Sequence, residues 1–354
     1  MRVVVLWKGV TGYVDAEIRA LRSAGADVAL AVLGASSSQH PQQRSSLDEL
    51  EHTMLVDATT PPADIASWAR AFDPDVVICC GWDPKPFMGA VSLLHDHRSR
   101  KVLYTDGQWS GTPKQRAGQL IAPWLLHRRF DAAIVPGEPQ ARFVRRLGFA
   151  AEQIFEGGCV ADTDSYTAAR LPDDEWRSLP PSLLFCGRLV PEKGLDVLLE
   201  AYARYRSTHP SPWGLTVAGT GPLLAQVQAR PDIDHVGFVE PTDVPALMAR
   251  HRALVLPSRF EPWGVVVHEA VCAGLPLVLS DRVGAATRFL HHRTNGFRVD
   301  VDSVESLTWA ITAMSDWSDD QLERGRRRSI ELAEQLGLAD FVGAIAAIAA
   351  ISAT

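Results

Sequence analysis

The stretch Glu261-Pro-Trp-Gly-Val-Val-Val-His-Glu269 holds two carboxylates with seven residues between them, just after an apolar run at Leu254 to Leu256 and leading into a helical pattern. Gly264 lets a ligand approach the backbone, and the first amides of the following helix form an anion site because they have no partner inside it. Glu269 comes five positions later, about 7.5 Å along an axis that rises ~1.5 Å per residue. That is roughly the span from a diphosphate to a ribose, so a carboxylate there could accept hydrogen bonds from both ribose hydroxyls. Taken alone, such a glutamate is more often a solvated helix residue, since exposed charge is the norm.

A second segment, Gly187-Arg188-Leu-Val-Pro-Glu-Lys193-Gly194, follows another apolar run at an equivalent point of the same half of the chain. Arg188 and Lys193 supply fixed positive charge there. Charge-assisted hydrogen bonds contribute ~1.5–3 kcal/mol each, enough for two such residues to hold a diphosphate although the formal net charge is -7. That acidic balance excludes a general nucleic-acid surface, which needs a basic face to release counterions.

The elements that position these groups follow from hydrophobic periodicity. A chain of 354 residues accommodates about two domains at ~100–200 residues each. Hydrophobic residues at 46% and charged residues at 22% exclude a disordered chain and a predominantly membrane-embedded one. Runs without a polar alternate occur at Val3 to Trp7, Val28 to Leu33, Val76 to Cys80, Val102 to Thr105 and Ala132 to Val135. They read as parallel strands covered on both faces, linked by helices at Tyr13 to Ser23, Ala63 to Phe72, Gln115 to His127 and Pro139 to Leu147. The pattern repeats with strands at Leu183 to Cys186, Leu215 to Ala218, Ala253 to Leu256 and Leu277 to Leu279, and helices near Leu195 to Arg206, Leu223 to Ala229 and Val265 to Ala273.

The fold class is therefore α/β, with two doubly wound halves expected to face each other across a cleft. Each would present its loops at the carboxyl ends of its strands. The polar, proline-marked stretch Ala161 to Ser182 reads as the boundary, and the Ser- and Gln-rich Ala35 to Ser46 as a mobile surface loop. Met1 to Trp7 meets Lys8 and Gly9 too soon for a signal peptide. Phe341 to Ile351 is too short to span a bilayer, which takes ~20 residues, and reads as a core helix. Five cysteines without a Cys-x-x-Cys pair read as reduced thiols of a cytoplasmic protein.

Together these segments resemble the retaining nucleotide-sugar glycosyltransferases of family 4, which have the GT-B fold of two Rossmann-like domains. The landmarks are Pro74-Asp-Val-Val77, Gly187-Arg188 with Glu192-Lys193-Gly194, Ala218-Gly-Thr-Gly-Pro222, Val236-Gly-Phe-Val239, and the glutamate pair followed by Ala273-Gly-Leu-Pro276 and Asn295-Gly296. The resemblance implies an acceptor-binding domain over residues 1–165, a donor-binding domain over 166–337, and a helix over 338–354 that packs back on the first domain. It implies that Glu269 binds the ribose, that Glu261 faces the transferred sugar, and that Arg188 and Lys193 hold the diphosphate as it departs. Gly187 and Gly219 would border the donor, with Trp263 and the amides of Gly264, Val265 and Val266 against sugar and phosphate, and Phe238 and Val239 against the base. Gly9-Val-Thr-Gly12 replaces the adjacent glycines common in the family and could still form the turn that brings the first helix to the donor.

The implied partners are a nucleotide-sugar donor and a saccharide or small-molecule acceptor, with no cofactor, no metal and no nucleic acid. His95-Asp-His97 and His291-His292 lack convincing metal partners. Peripheral membrane contact is not favoured, because no strongly basic helix or hydrophobic anchor marks the first domain. Two further departures stand out. Asp106, in Tyr104-Thr-Asp-Gly-Gln-Trp109, occupies the place where the family usually has a histidine, and an anion there suits an acceptor hydroxyl or amino group. Arg288, in Val283-Gly-Ala-Ala-Thr-Arg288, reverses the sign of the usual glutamate. Acceptor stacking falls to Trp82 and Trp109, with Trp124 a further candidate. The rival readings are a nucleotide-sugar epimerase of the same architecture and a catalytically silent nucleotide-binding scaffold.

Overall fold

The computed structural model describes residues 1–34 and 50–351, so the stretch expected as a mobile loop, Ala35 to Ser46, lies outside the described residues. The first apolar run becomes β1 (Arg2–Lys8), buried from Val3 to Trp7 because helices cover both faces of its sheet. In chain order follow α1 (Gly12–Ser23), β2 (Asp27–Leu33), β3 (Thr53–Val56), α2 (Pro62–Phe72) and β4 (Val76–Cys80). Then come α3 (Lys85–Leu93), β5 (Arg100–Tyr104), α4 (Pro113–Leu126), β6 (Ala132–Val135), α5 (Glu138–Arg146) and β7 (Ile154–Glu156). These seven strands form one sheet in the order β3-β2-β1-β4-β5-β6-β7, paired in parallel throughout.

The second unit opens with α6 (Thr163–Ala168), α7 (Asp173–Ser178), β8 (Ser182–Cys186), α8 (Leu195–Thr208), β9 (Gly214–Ala218) and α9 (Leu224–Gln228). It continues with β10 (Asp234–Gly237), α10 (Val244–Ala249), β11 (Ala253–Leu256), α11 (Val265–Cys272), β12 (Leu277–Ser280) and α12 (Ala286–Phe289). β13 (Gly296–Val299), α13 (Val304–Ser315) and α14 (Asp319–Ala333) complete it. Its six-stranded parallel sheet has the order β10-β9-β8-β11-β12-β13. α15 (Leu338–Ala349) then returns to the first unit, burying Phe341, Ala344, Ile345 and Ile348.

The strands that periodicity misses, β3, β7, β10 and β13, are the four sheet edges. An edge strand is exposed along one side, so β3, β7 and β10 have at most one buried residue each, whereas β13 buries three of its four and is missed because Gly296 and Arg298 interrupt its apolar run.

The domain boundary also moves. The units comprise Met1–Val160 with Gly337 onward, and Ala161–Leu336, instead of dividing at 165/166 and 337/338. The reason is local: the Val160 amide donates to the buried carboxylate of Glu17 in the first unit, and the next amide, Ala161, donates to His268 in the second. The stretch Asp319–Ala349 has the length and hydropathy of a membrane span. It is nonetheless broken between α14 and α15, and each of these helices buries one face.

Candidate functional site

In the second sheet the chain runs outward in opposite directions from β8 and β11, which leaves a crevice beyond their carboxyl ends, the usual ligand position in such sheets. The two segments singled out for chemistry are the loops at that point. They pack backbone against backbone: Gly194 has φ +67, and a Cβ on it would run into the Pro257 carbonyl oxygen. Arg259 fastens them further, its amide donating to the Glu192 carbonyl at 2.8 Å and its guanidinium to Pro191 at 2.6 Å and bidentately to Asp196 at 2.8 and 2.7 Å.

Gly219, after β9, has φ +134 and lies so close to Gly187 that a Cβ would overlap its carbonyl oxygen. Gly219→Ala is therefore expected to destabilise the second unit by on the order of 3 kcal/mol. Urea denaturation should show this as a lower midpoint with an unchanged slope.

Within this frame the Lys193 ammonium forms an ion pair with Glu261, their side chains only 15% and 13% exposed. The Ser258 hydroxyl donates to the same carboxylate oxygen at 3.4 Å. Glu269, partly buried on α11, accepts a hydrogen bond from Tyr166, and desolvation raises its carboxyl to about 7. The Cys186 thiol at the end of β8 is pushed up to about 12, first by burial and then by the charge of Glu269, with Lys193 opposing. One thiol thus feels both Glu269 and Lys193, which puts the Lys193–Glu261 pair and Glu269 near the carboxyl end of β8.

Arg188 is exposed on the rim of the β8 loop. Gly264, at φ +92, caps α11, and Val265 and Val266 are partly exposed at its first turn. Phe238, 52% exposed, and Val239 follow β10. Arg288 lies on α12 with its guanidinium toward the Gln335 carbonyl.

One assignment is corrected. Trp263, expected against the donor, is 1% exposed and packs edge-on to Phe289. It supports the loop from beneath because its flanking backbone is held by the α12 loop, where the Ala285 amide donates to the Trp263 carbonyl at 2.9 Å. His268, between the two glutamates, is likewise structural. Burial drops it to about 3, so the neutral ring accepts from Ala161 at 3.1 Å and stacks on Phe289. Sequence reasoning missed Tyr166, which lies inside the stretch read as linker and gives no periodic signal.

The first sheet has its own crevice between β1 and β4, where Lys8 pairs with Asp83. Gly9 adopts φ +62 with open space around the place a Cβ would take, and Gly12 starts α1. Asp106 is exposed after β5, and its charge reaches Tyr13 and Cys159, helping burial to raise both. Beneath them Tyr104 donates to Glu17 at 2.6 Å and accepts from the Cys159 amide. Trp82 and Trp109 both pack on Phe143, with ring centroids 5.8 and 6.4 Å away, and Arg146 covers Trp109 at 4.8 Å. Both rings are partly exposed.

Burial raises the Glu17 carboxyl to about 8 from its ordinary 4.5. Folding therefore takes up a proton between those values, and stability falls as pH rises through that window, by up to ~1.4 kcal/mol per pH unit. Glu17→Gln keeps the acceptor oxygen but cannot ionise. Its melting temperature relative to the parent is expected to climb steadily from pH 5 to 8, as differential scanning calorimetry can check.

Among the described residues no group of three or more His, Cys, Asp or Glu side chains is placed to hold a metal ion. Acidic Asp-x-Asp triplets do occur, and members of each are otherwise engaged. Asp73 and Asp75 hold Arg98, Asp162 caps α6, Asp232 pairs with Arg230, and Asp302 pairs with Arg259. His97 faces Asp73 at 3.4 Å, and His95 bonds the Ser92 carbonyl.

Comparison with known proteins adds to this geometry. The family model described as "Glycosyl transferases group 1" matches residues 172–335, and that described as "Glycosyltransferase Family 4" matches residues 7–156. The chain is 29% identical to the glycogen synthase of Mycobacterium tuberculosis over 262 residues, 70% of this chain and 61% of that protein. It is 34% identical to the D-inositol 3-phosphate glycosyltransferase of Jonesia denitrificans over 158 residues, 41% of this chain and 37% of that one. The match thus spans less than two thirds of either relative's length. Among solved structures, HepE of Anabaena in complex with UDP and glucose superposes with a TM-score of 0.76 at 17% identity, covering 98% of both chains.

Proposed function

Starting from the fact that this chain belongs to the group 1, family 4 glycosyltransferases and has their GT-B fold of two parallel-sheet α/β domains, we propose that it transfers a sugar from a nucleoside diphosphate sugar to an acceptor hydroxyl. The transfer retains the anomeric configuration and uses no metal. The observation that carries this reading is the gathering of Lys193, Glu261 and Glu269 at the β8/β11 crevice, beside the amides that open α11. UDP is the leading nucleotide, because the solved HepE neighbour holds UDP and glucose; GDP is the next.

In this reading the ribose hydroxyls donate to Glu269. The diphosphate lies over the α11 amides with Arg188 and Lys193 beside it, and the base packs on Phe238 and Val239. Lys193 is paired with Glu261 before the donor arrives. An incoming diphosphate draws the ammonium toward its own charge and leaves Glu261 free to accept hydrogen bonds from the sugar. The bond between the anomeric carbon and the β-phosphate oxygen then breaks, and the charge gathering on the diphosphate is stabilised by the guanidinium, the ammonium and the amides. The acceptor oxygen bonds the same face of the sugar, and its proton passes to the departing phosphate oxygen. Asp106 orients the acceptor hydroxyl, with Trp82 and Trp109 lining the acceptor side. Acceptors are saccharides, glycoconjugates or small metabolites, and the enzyme works in the cytoplasm.

Thermal-shift measurements with UDP, GDP, ADP and dTDP test the reading, since a ligand specific to the folded state raises its melting point. One nucleotide, expected to be UDP or GDP, should give a rise of several degrees at about 100 times its Kd. No shift with any of them would sink the proposal, and consumption of the sugar nucleotide into an isomer without acceptor would assign the epimerase instead. Binding should also release protons: the Glu269 carboxyl sits at about 7 when free, and ribose hydroxyls favour its charged form. Affinity is therefore expected to rise from pH 6 to 8 and then level off, with calorimetry in buffers of different ionisation enthalpy reading the proton released.

A further inference from the structure

The helix α4 has two unlike faces. Its inner side is anchored, with Ala122 and Leu126 in the core and the Gln115 side chain holding Gln108, Ser110 and Gly111. Its outer side carries Leu120, Ile121 and Trp124, which are 84%, 61% and 63% exposed. Large apolar residues so exposed and so contiguous mark an interaction surface. The exposed positions Arg116, Ala117, Leu120, Ile121 and Trp124 recur at helical spacing and form a single stripe, which Arg128 extends from the turn just past the helix end, so a cation stands at each end of an apolar centre. Arg128 lies 4.8 Å over the Trp124 ring. From residue 113 to 129 the sequence has four Lys or Arg and no Asp or Glu, within a chain of net charge -7.

We propose that this stripe docks the protein on an anionic phospholipid surface, with α4 lying in the plane of the interface. The chemistry is complementary: Leu120, Ile121 and Trp124 enter the acyl boundary, and Arg116 and Arg128 meet the phosphates. The absence of acid from the whole segment favours a negative partner. It disfavours a second copy of the chain, since two-fold packing of this helix on itself sets Arg116 against Arg128. The proposal reverses the expectation that no basic helix or hydrophobic anchor marks the first domain. That expectation arose because inward and outward apolar residues of α4 cannot be told apart by composition. The inference does not depend on the catalytic reading.

The test is co-sedimentation of the full chain with vesicles of phosphatidylcholine, alone or with about one third phosphatidylglycerol, at about 50 and 500 mM salt. No nucleotide or acceptor is present, so the result is separable from that of the catalytic proposal. Binding to the anionic vesicles is expected to exceed that to the neutral ones at least tenfold and to weaken at high salt. Leu120→Ser/Ile121→Ser/Trp124→Ser should abolish it, with an unchanged circular dichroism melt. If that variant does not fold, Arg116→Glu/Arg128→Glu, which alters only exposed side chains, should reduce anionic binding at least tenfold. Equal binding to both vesicles, no binding to either, or full binding by the charge variant would overturn the proposal. So would a concentration-dependent dimer in ultracentrifugation that the apolar variant dissolves, which would give the face to a second copy.

Discussion

Glu269→Ala is expected to weaken nucleoside diphosphate binding by about 100-fold, the equivalent of ~3 kcal/mol, while the protein remains folded. The size follows from losing an acceptor for two hydroxyl donors, each worth ~1.5–3 kcal/mol when the acceptor is charged, less the cost of ionising a group that desolvation holds at about 7. The effect on stability has the opposite sign. The raised carboxyl lowers stability as pH climbs from the ordinary 4.5 to about 7, so above neutrality the protein holds a desolvated charge that alanine removes. Calorimetric titration with UDP and GDP at pH 8, beside a thermal melt, separates the two. A large loss of affinity with an unchanged or higher melting temperature supports ribose binding, whereas unaltered affinity would show that Glu269 touches no ligand.

Lys193→Ala is expected to cost both stability and turnover, and Glu261 explains why. With its ammonium partner gone, a carboxylate only 13% exposed loses the countercharge that neutralises it, while Ser258 still donates to it at 3.4 Å. Breaking a buried pair from one side costs on the order of 3 kcal/mol, and the carboxylate, no longer balanced by Lys193, also repels the incoming diphosphate. Lys193→Ala/Glu261→Ala should recover most of the melting temperature and part of the nucleotide affinity. It should not recover activity, since both the diphosphate cation and the group facing the sugar are missing. Glu261→Ala alone should lower kcat by two orders of magnitude or more with a smaller change in donor affinity, because it frees the ammonium for phosphate while removing a contact to the sugar. The decisive comparison is the melt of the single and double variants. If the double variant is no more stable than Lys193→Ala, the pair is not what holds Glu261.

The parts of this protein that can be read along the chain are those set by neighbours in sequence. Val3 to Trp7 or Ala253 to Leu256 must be central strands, because a short run with no polar alternate can be solvated on neither face. β3, β7 and β10 escape the same test, since an edge strand keeps one side in water and loses the signal, and β13 escapes it because Gly296 and Arg298 interrupt its apolar run. Gly264 and the carboxylates at 261 and 269 were legible as a ligand-approach pattern, whereas the close backbone packing of Gly194 on Pro257 and of Gly219 on Gly187 was not. The burial of Trp263 was not, since an aromatic beside a glycine can turn either way, and only the α12 loop that grips its carbonyl fixes the direction.

What the amino-acid order determined by itself is the alternation of strand and helix, the turns that demand glycine, and two charged loops following strands. What only the tertiary structure decided is who meets whom. Lys193 and Glu261 are 68 positions apart and pair because β8 and β11 are neighbours at the point where the sheet reverses its order. Tyr166 reaches Glu269 from outside the sheet altogether. The outward stripe of α4 became visible once Ala122 and Leu126 were seen to take the inward positions. Period and propensity act over one or two turns, whereas these contacts depend on strand order and helix rotation, which are settled by burying the whole core at once.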